Sequence, residues 1–224
     1  MIKIIEENRL YFGLYFATFL LVFIWQLNHD LLTATLFFSA NRSAFGDFFF
    51  RNWTYLGEVA PFVTAVLFFI YQKKYASVWQ VLIVGLTTMF IVGALKDGFA
   101  HPRPMLVLEN FKLETAVKYV EDVEILRGQN SFPSGHTAAA FGVWSLLAFY
   151  FSRNKLLQIV LFSTAFLVGV SRVYLIAHFP EDTLFGSAIG LSVATLTVYF
   201  FQKFEKKQIE QTDLASSVST VQKV

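Results

Sequence analysis

Ser171-Arg172-Val173-Tyr174-Leu175-Ile176-Ala177-His178-Phe179-Pro180-Glu181-Asp182 closes one apolar run, which begins near Leu156, and opens a second near Thr183. Both runs are long enough to cross a bilayer, so the stretch reads as a polar break between two membrane helices. A charge at the centre of a spanning helix costs about 2.5–3.5 kcal/mol on insertion scales. Arg172 therefore sits near the interface or faces a group that needs it. Pro180 suits the first position of a helix, which puts Asp182 in that helix's first turn, four residues after His178. A carboxylate at that spacing reaches the imidazole.

Composition agrees with a membrane chain. Of 224 residues, 55% are apolar and 18% aromatic, 27 of them Phe, while only 15% are charged. Soluble domains carry about 25% charged residues. Basic and acidic residues number 18 and 16, a formal net charge of +2, which makes no case for nucleic-acid binding. Cysteine is absent, so disulfide and thiolate chemistry are excluded.

The expected fold class is all-α, a polytopic membrane bundle of about six transmembrane helices with its active site at the outer face. Apolar runs place the spans near 10–27, 53 or 59 to 71, 77–95, from the 130–136 stretch to 150, 156–177 and 183–201. The first is too long for a signal-peptide core and lacks a small-x-small cleavage site, so an uncleaved span is expected. Phe48, Phe49, Phe50, Arg51 and Trp53 mark an interfacial segment. Between Lys96 and Ser134 lies the longest connection. Within it Leu113, Val117 and Val120 recur at helical spacing among Glu114, Lys118, Glu121 and Asp122, which predicts an amphipathic surface helix over 111–126. The domain expected is a single membrane-embedded unit, 1–201, followed by a polar, disordered cytoplasmic tail, 202–224.

Lysine and arginine enrichment in short cytoplasmic loops sets the orientation. With the N-terminus inside, residues 1–9, the Lys73-Lys74 loop, the Arg153–Lys155 turn and the tail with Lys203, Lys206 and Lys207 all fall inside. Lys112, Lys118 and Arg127 lie outside among five acids, Glu109, Glu114, Glu121, Asp122 and Glu124. Parity then puts the polar ends of spans three, four, five and six on one outer face.

Lys96, Arg103, Ser134, Gly135, His136, Arg172, His178 and Asp182 converge there, a set suited to an anionic tetrahedral group. Transfer of a phosphoryl group is assisted mainly by positioned donors and positive charge. Arginine's planar fork donates to two phosphate oxygens at once. Ser134 and the Gly135 N–H at the entrance to a helix add donors. His178 is the candidate nucleophile and Asp182 its orienting carboxylate. His136 remains as general acid and base. No metal or other cofactor is expected, because Asp182 is the one plausible carboxylate ligand against three cations. His101 is expected to be structural or interfacial, His29, Asp30 and Asp47 solvated, and Glu181 a helix N-terminal charge. Some of the phenylalanines should line a groove for an acyl or prenyl chain.

Lys96 to Pro104 reads K-x-x-x-x-x-x-R-P, Pro133 to His136 reads P-S-G-H, and Ser171 to Asp182 reads S-R-x-x-x-x-x-H-x-x-x-D. Together these resemble the three-part motif of the type 2 phosphatidic acid phosphatase superfamily. At about 5% usage per residue type, P-S-G-H alone arises by chance about once in 10⁵ positions. The resemblance implies a helical fold and a phosphohistidine mechanism. It also implies phosphate binding by Lys96, Arg103, Ser134, Gly135 and Arg172, an acid role for His136, a nucleophile at His178 and an orienting role for Asp182.

The expected activity is metal-independent hydrolysis of a lipid phosphomonoester or diphosphate. Undecaprenyl diphosphate, phosphatidylglycerol phosphate, phosphatidic acid and lipid A phosphate are candidates. The partners expected are this lipid phosphate and the surrounding membrane lipids, in a bacterial inner membrane, with the site on the extracytoplasmic or periplasmic face. Phosphotransfer to an alcohol through the same intermediate, and anion transport without chemistry, are the competing readings.

Overall fold

Ten helices and two short 3₁₀ turns, with no strand among the described residues, make up the computed structural model, which describes the backbone of residues 1–221 and side chains through 212. In order the helices are α1 (Ile2–Glu7), α2 (Arg9–Leu27), α3 (Thr33–Ala40), α4 (Ala44–Trp53), α5 (Val59–Tyr71), α6 (Tyr75–Phe99), α7 (Pro104–Asn110), α8 (Gly135–Tyr150), α9 (Lys155–Tyr174) and α10 (Pro180–Val221). Four stretches are long and apolar enough to cross a membrane: α2, Tyr75–Asn110, α9 and Pro180–Thr212. A fifth arises if Ala44–Gly57 and Val59–Tyr71, bent by 54°, count as one broken span.

The remaining expected span is α8, with 16 residues. That gives a rise of about 24 Å, short of the roughly 30 Å hydrocarbon layer. Most of its side chains are buried by α6, α9 and α10, so protein and not lipid is its solvent. The outer helices show the opposite pattern. Trp79, Leu82, Ile83, Leu86, Met89 and Phe90 on α6 are all exposed, as are Leu20, Leu21, Phe23 and Ile24 on α2. Apolar faces of that extent belong against lipid. The protein is membrane-embedded and multi-pass.

Lipid supplies no hydrophobic drive between helices, so packing and interhelical hydrogen bonds hold the bundle. Tyr11 of α2 is fully buried and bonds Ser145 of α8 at 2.8 Å. Near the opposite end of the bundle from the motifs, Gln158 of α9 donates to Asn8 at 3.1 Å. Gly186 and Gly190 on α10 let that helix rest on the backbone of α8, the Ser134 carbonyl facing the first and the Ala138 carbonyl the second.

The predicted surface helix over 111–126 does not form. After α7 the chain passes through a left-handed Lys112 (φ 58°), one 3₁₀ turn at Glu114–Ala116 and a left-handed Asp122 (φ 59°). β-Branched Val117, Val120 and Val123 favour extended backbone between those breaks. Val117 packs with Met105, Leu108 and Ile176, and Val120 with Tyr174 and Leu175. The connection is therefore a non-helical cover over the turn between α9 and α10. Asp47, expected in solvent, instead accepts from Tyr174 Oη at 2.6 Å and pairs with Arg42 at 3.1 Å. His29 is exposed and stacks on Trp25.

The polar stretch expected to be disordered continues α10 to Val221, its first residues exposed and rich in the good helix formers Glu, Lys and Gln. Residues 222–224 of that tail lie outside the described residues.

Candidate active site

The turn between α9 and α10 is built by a Schellman arrangement. Ala177 N–H donates to the Arg172 carbonyl at 2.9 Å and Ile176 N–H to Val173 at 3.0 Å. Ile176 takes the left-handed position (φ 57°) where glycine is usual. Its side chain is buried against Met105, Leu108 and Val117, an anchor glycine would lack. His178 N–H also returns to the Arg172 carbonyl, at 3.2 Å. This turn fixes Arg172 and His178 relative to one another, and Pro180 then starts α10 at its first position.

His178 and Asp182 are both buried, at 2% and 0% exposure, where an unpaired carboxylate would be costly. Asp182 Oδ2 accepts from His178 Nδ1 at 3.3 Å, from Ser131 Oγ at 2.6 Å and from the Phe179 N–H at 2.9 Å. The bond at Nδ1 leaves Nε2 of His178 without a hydrogen-bond partner among the described residues. Burial pushes the His178 imidazole well below its ordinary range. The Asp182 hydrogen bond opposes that push, and the Arg172 and Arg103 charges reinforce it. The ring is neutral at neutral pH.

Motif residues from five helix ends and one turn meet here. Ser134 caps α8, accepting from the Thr137 N–H at 3.4 Å, and its own N–H donates to the Asp182 carbonyl at 2.9 Å. Gly135 and His136 follow in the first turn, where N–H groups have no intrahelical acceptor. Lys96, in the last turn of α6, donates to the Asn130 carbonyl at 3.0 Å. Arg103, at the cap of α7, donates to Asn130 Oδ1 at 2.8 Å and to the Ala177 carbonyl at 3.0 Å. Arg172 donates to Thr54 Oγ1 at 2.8 Å, and its Nε is buried without a partner. All eight residues thus share one end of the bundle. His136 is bonded to Glu58 at 3.2 Å and not to His178.

Four neighbours were absent from the sequence expectation. Ser131 bridges toward the His178–Asp182 pair, Thr54 holds Arg172, Glu58 faces His136, and Asn130 gathers Lys96 with Arg103. Ser131 and Asn130 lie two and three positions before the P-S-G-H motif, a proximity that is the one sequence signal for them. Thr54 and Glu58 lie 118 and 78 positions from their partners, with no local signal.

His101, Glu181 and Asp182 bring one ligand atom each within 4.8 Å of one another, a spacing that could hold a metal ion. Arg103 already interacts with the Asp182 charge, which disfavours a divalent ion there. The expected apolar groove has a counterpart in a cavity of about 430 Å³ among α2, α3, α8, α9 and α10, lined in part by Tyr15, Phe37, Thr137, Phe166, Val170 and Leu184. None of the eight motif side chains lines it.

A family model described as the PAP2 superfamily matches residues 76–206. Lipid phosphate phosphatase 2 of Arabidopsis thaliana is 32% identical over 166 residues, which cover 62% of this chain and 57% of that protein. A lipid A 4'-phosphatase of Bacteroides thetaiotaomicron is 27% identical, with 75% of this chain and 74% of that protein covered. The chain thus spans little more than half of the Arabidopsis relative. Among solved structures, Aquifex aeolicus LpxE superposes with a TM-score of 0.64 at 27% identity, covering 75% of this chain and 94% of that one.

Proposed function

The chain belongs to the PAP2 superfamily, and on that premise we propose that it is a metal-independent membrane lipid phosphatase working through a phosphohistidine at His178. The observation that carries the reading is the buried His178–Asp182 pair beside Lys96, Arg103 and Arg172. Relatives named as lipid phosphate and lipid A phosphatases support a lipid phosphate as the substrate class.

In the proposed reaction, Asp182 holds the proton on Nδ1 and the Nε2 lone pair of His178 attacks phosphorus. The P–N bond forms as the bond to the lipid oxygen breaks. His136 gives that oxygen its proton. Lys96, Arg103, Arg172, the Ser134 hydroxyl and the free N–H groups of Gly135 and His136 hold the non-bridging oxygens, on which charge concentrates. Water then attacks phosphorus, His136 takes its proton, the P–N bond breaks and inorganic phosphate leaves. Lysine and arginine placement supports the extracytoplasmic face for this end of the bundle.

Purified protein in detergent, given phosphatidic acid, phosphatidylglycerol phosphate, undecaprenyl diphosphate and lipid A in excess EDTA, is expected to release inorganic phosphate from at least one. No release from any of them, or release abolished by EDTA, would sink the reading. Phosphate appearing on an added alcohol instead of in solution would show phosphotransfer.

Glu58 gives a second expectation. A carboxylate 3.2 Å from His136 Nε2 holds the ring that must deliver a proton to the leaving oxygen. Glu58→Gln weakens that hold, so kcat is expected to fall about 10-fold with KM changed less than about 2-fold. A kcat unchanged in Glu58→Gln would remove Glu58 from the mechanism.

A further inference from the structure

Asp182 is fully buried, yet its Oδ1 has no hydrogen-bond partner, while Oδ2 accepts three bonds. An unsatisfied oxygen on a buried carboxylate calls for an explanation. The imidazole of His101 stands beside it: Nδ1, itself buried and unpartnered, is 3.9 Å from Asp182 Oδ1. Nε2 of the same ring is 3.3 Å from Glu181 Oε1, and Glu181 is in turn held by Gln26 of α2 at 2.8 Å. Phe132 and Phe179 face the ring at centroid distances of 6.4 and 5.8 Å. Its backbone is pinned because the His101 carbonyl accepts from Ser131 N–H at 3.0 Å. Ser131 is the residue that bonds Asp182 from the other side.

We propose that His101 is a positioning residue for the reaction: its ring bridges Glu181 and Asp182 and holds the second carboxylate oxygen while the first orients His178. The inference rests on the reading of His178 as nucleophile. A separation of 3.9 Å is too long for a hydrogen bond and too short for an intervening water. A ring shift of about 1 Å brings Nδ1–H onto Oδ1 within ordinary hydrogen-bond length. Catalytic hydrogen bonds are often loose without substrate and tighten on its binding. Nδ1–H then donates to Asp182 Oδ1 while Nε2 stays beside Glu181 Oε1. The charged groups around it are Glu181 and Asp182 of α10, with Lys96 and Arg103 acting on the same Asp182 carboxylate.

Two consequences separate this role from simple packing. Removing the ring frees Asp182 Oδ1 and lets the carboxylate turn away from His178, so kcat falls while KM holds. Restoring a donor of similar reach, as in His101→Asn, should recover kcat.

The test uses full-length wild type, His101→Ala and His101→Asn in detergent. One arm measures phosphate release from phosphatidic acid micelles or, where wild type does not turn that over, from lipid A. The other follows the rate of diethyl pyrocarbonate modification of His178 at a fixed neutral pH by peptide mass spectrometry, which needs no turnover. His101→Ala is expected to lower kcat about 10-fold with KM changed less than about 2-fold, and His101→Asn to come within about 3-fold of wild type. His178, less firmly oriented, should be modified at least about 3-fold more slowly in His101→Ala and at close to the wild-type rate in His101→Asn. A modification rate unchanged in His101→Ala overturns the proposal, and so does a kcat within about 2-fold of wild type. Wild type inactive on every lipid, with modification still slowed in His101→Ala, would instead fault the phosphatase reading and leave the bridging geometry intact.

Discussion

His178→Ala is expected to lower phosphate release by at least about 10³-fold and to abolish the covalent phosphoenzyme. The size follows from what Nε2 does in the proposed reaction. Without it, water must displace the lipid oxygen directly, and only the cations and the α8 N-terminus remain to assist. Removing a group that acts as one unit with its neighbours costs about as much as removing the unit. The fold should survive the change. Asp182 keeps its bonds from Ser131 and the Phe179 N–H, so the carboxylate loses one partner of three. His178→Gln, which refills most of the volume, guards against a packing defect. Wild type quenched at high pH during turnover of labelled substrate should carry phosphate that is stable to base and released by acid, as a P–N bond requires. Both variants should carry none. Labelled protein persisting in His178→Ala would place the nucleophile elsewhere.

Much of this end of the bundle was legible in the sequence because membrane helices leave few choices. Once apolar runs define the spans, parity alone brings Lys96, Ser134, Arg172 and His178 to the same end, and the structure places them there. The four-residue spacing of His178 and Asp182 needed only a helix start at Pro180. What stayed hidden depends on tertiary contact. Nothing near Glu58 says that a histidine 78 positions away faces it, and His101 joins Asp182 only because the turn after α6 folds back on α10. The 111–126 connection shows a different failure. Its apolar spacing matched a helix, and Val117 and Val120 are buried with Leu113 half-buried, but β-branched side chains and two left-handed positions make it an irregular cover. Span length misled less: α8 reads as a span in sequence, and in space it is the short central helix that the others enclose.

The α8–α10 contact carries the other large expectation. Gly186 and Gly190, one turn apart, sit where a β-carbon would meet backbone: the Ser134 carbonyl 2.5 Å from one, and for the other the Ala138 carbonyl with Gly142 N at 2.7 Å. This is the small-x-x-x-small packing that lets membrane helices approach through their backbones. Backbone atoms of a central helix cannot swing aside as a flexible side chain would, so Gly190→Val must push the two helices apart. Overpacking of this kind costs about 3 kcal/mol or more. It also reaches the site, because the Ser134 N–H to Asp182 carbonyl bond spans the same pair of helix starts. Gly190→Val is therefore expected to unfold at markedly lower temperature in detergent, followed by tryptophan fluorescence, and to lose activity even where it remains folded. Gly93→Val is the matched control, since a β-carbon at Gly93 meets nothing within 4 Å and valine there faces lipid. Equal tolerance of the two substitutions would mean that α10 does not lie on α8 through its glycine face, and the placement of Asp182 beside Ser134 would fall with it.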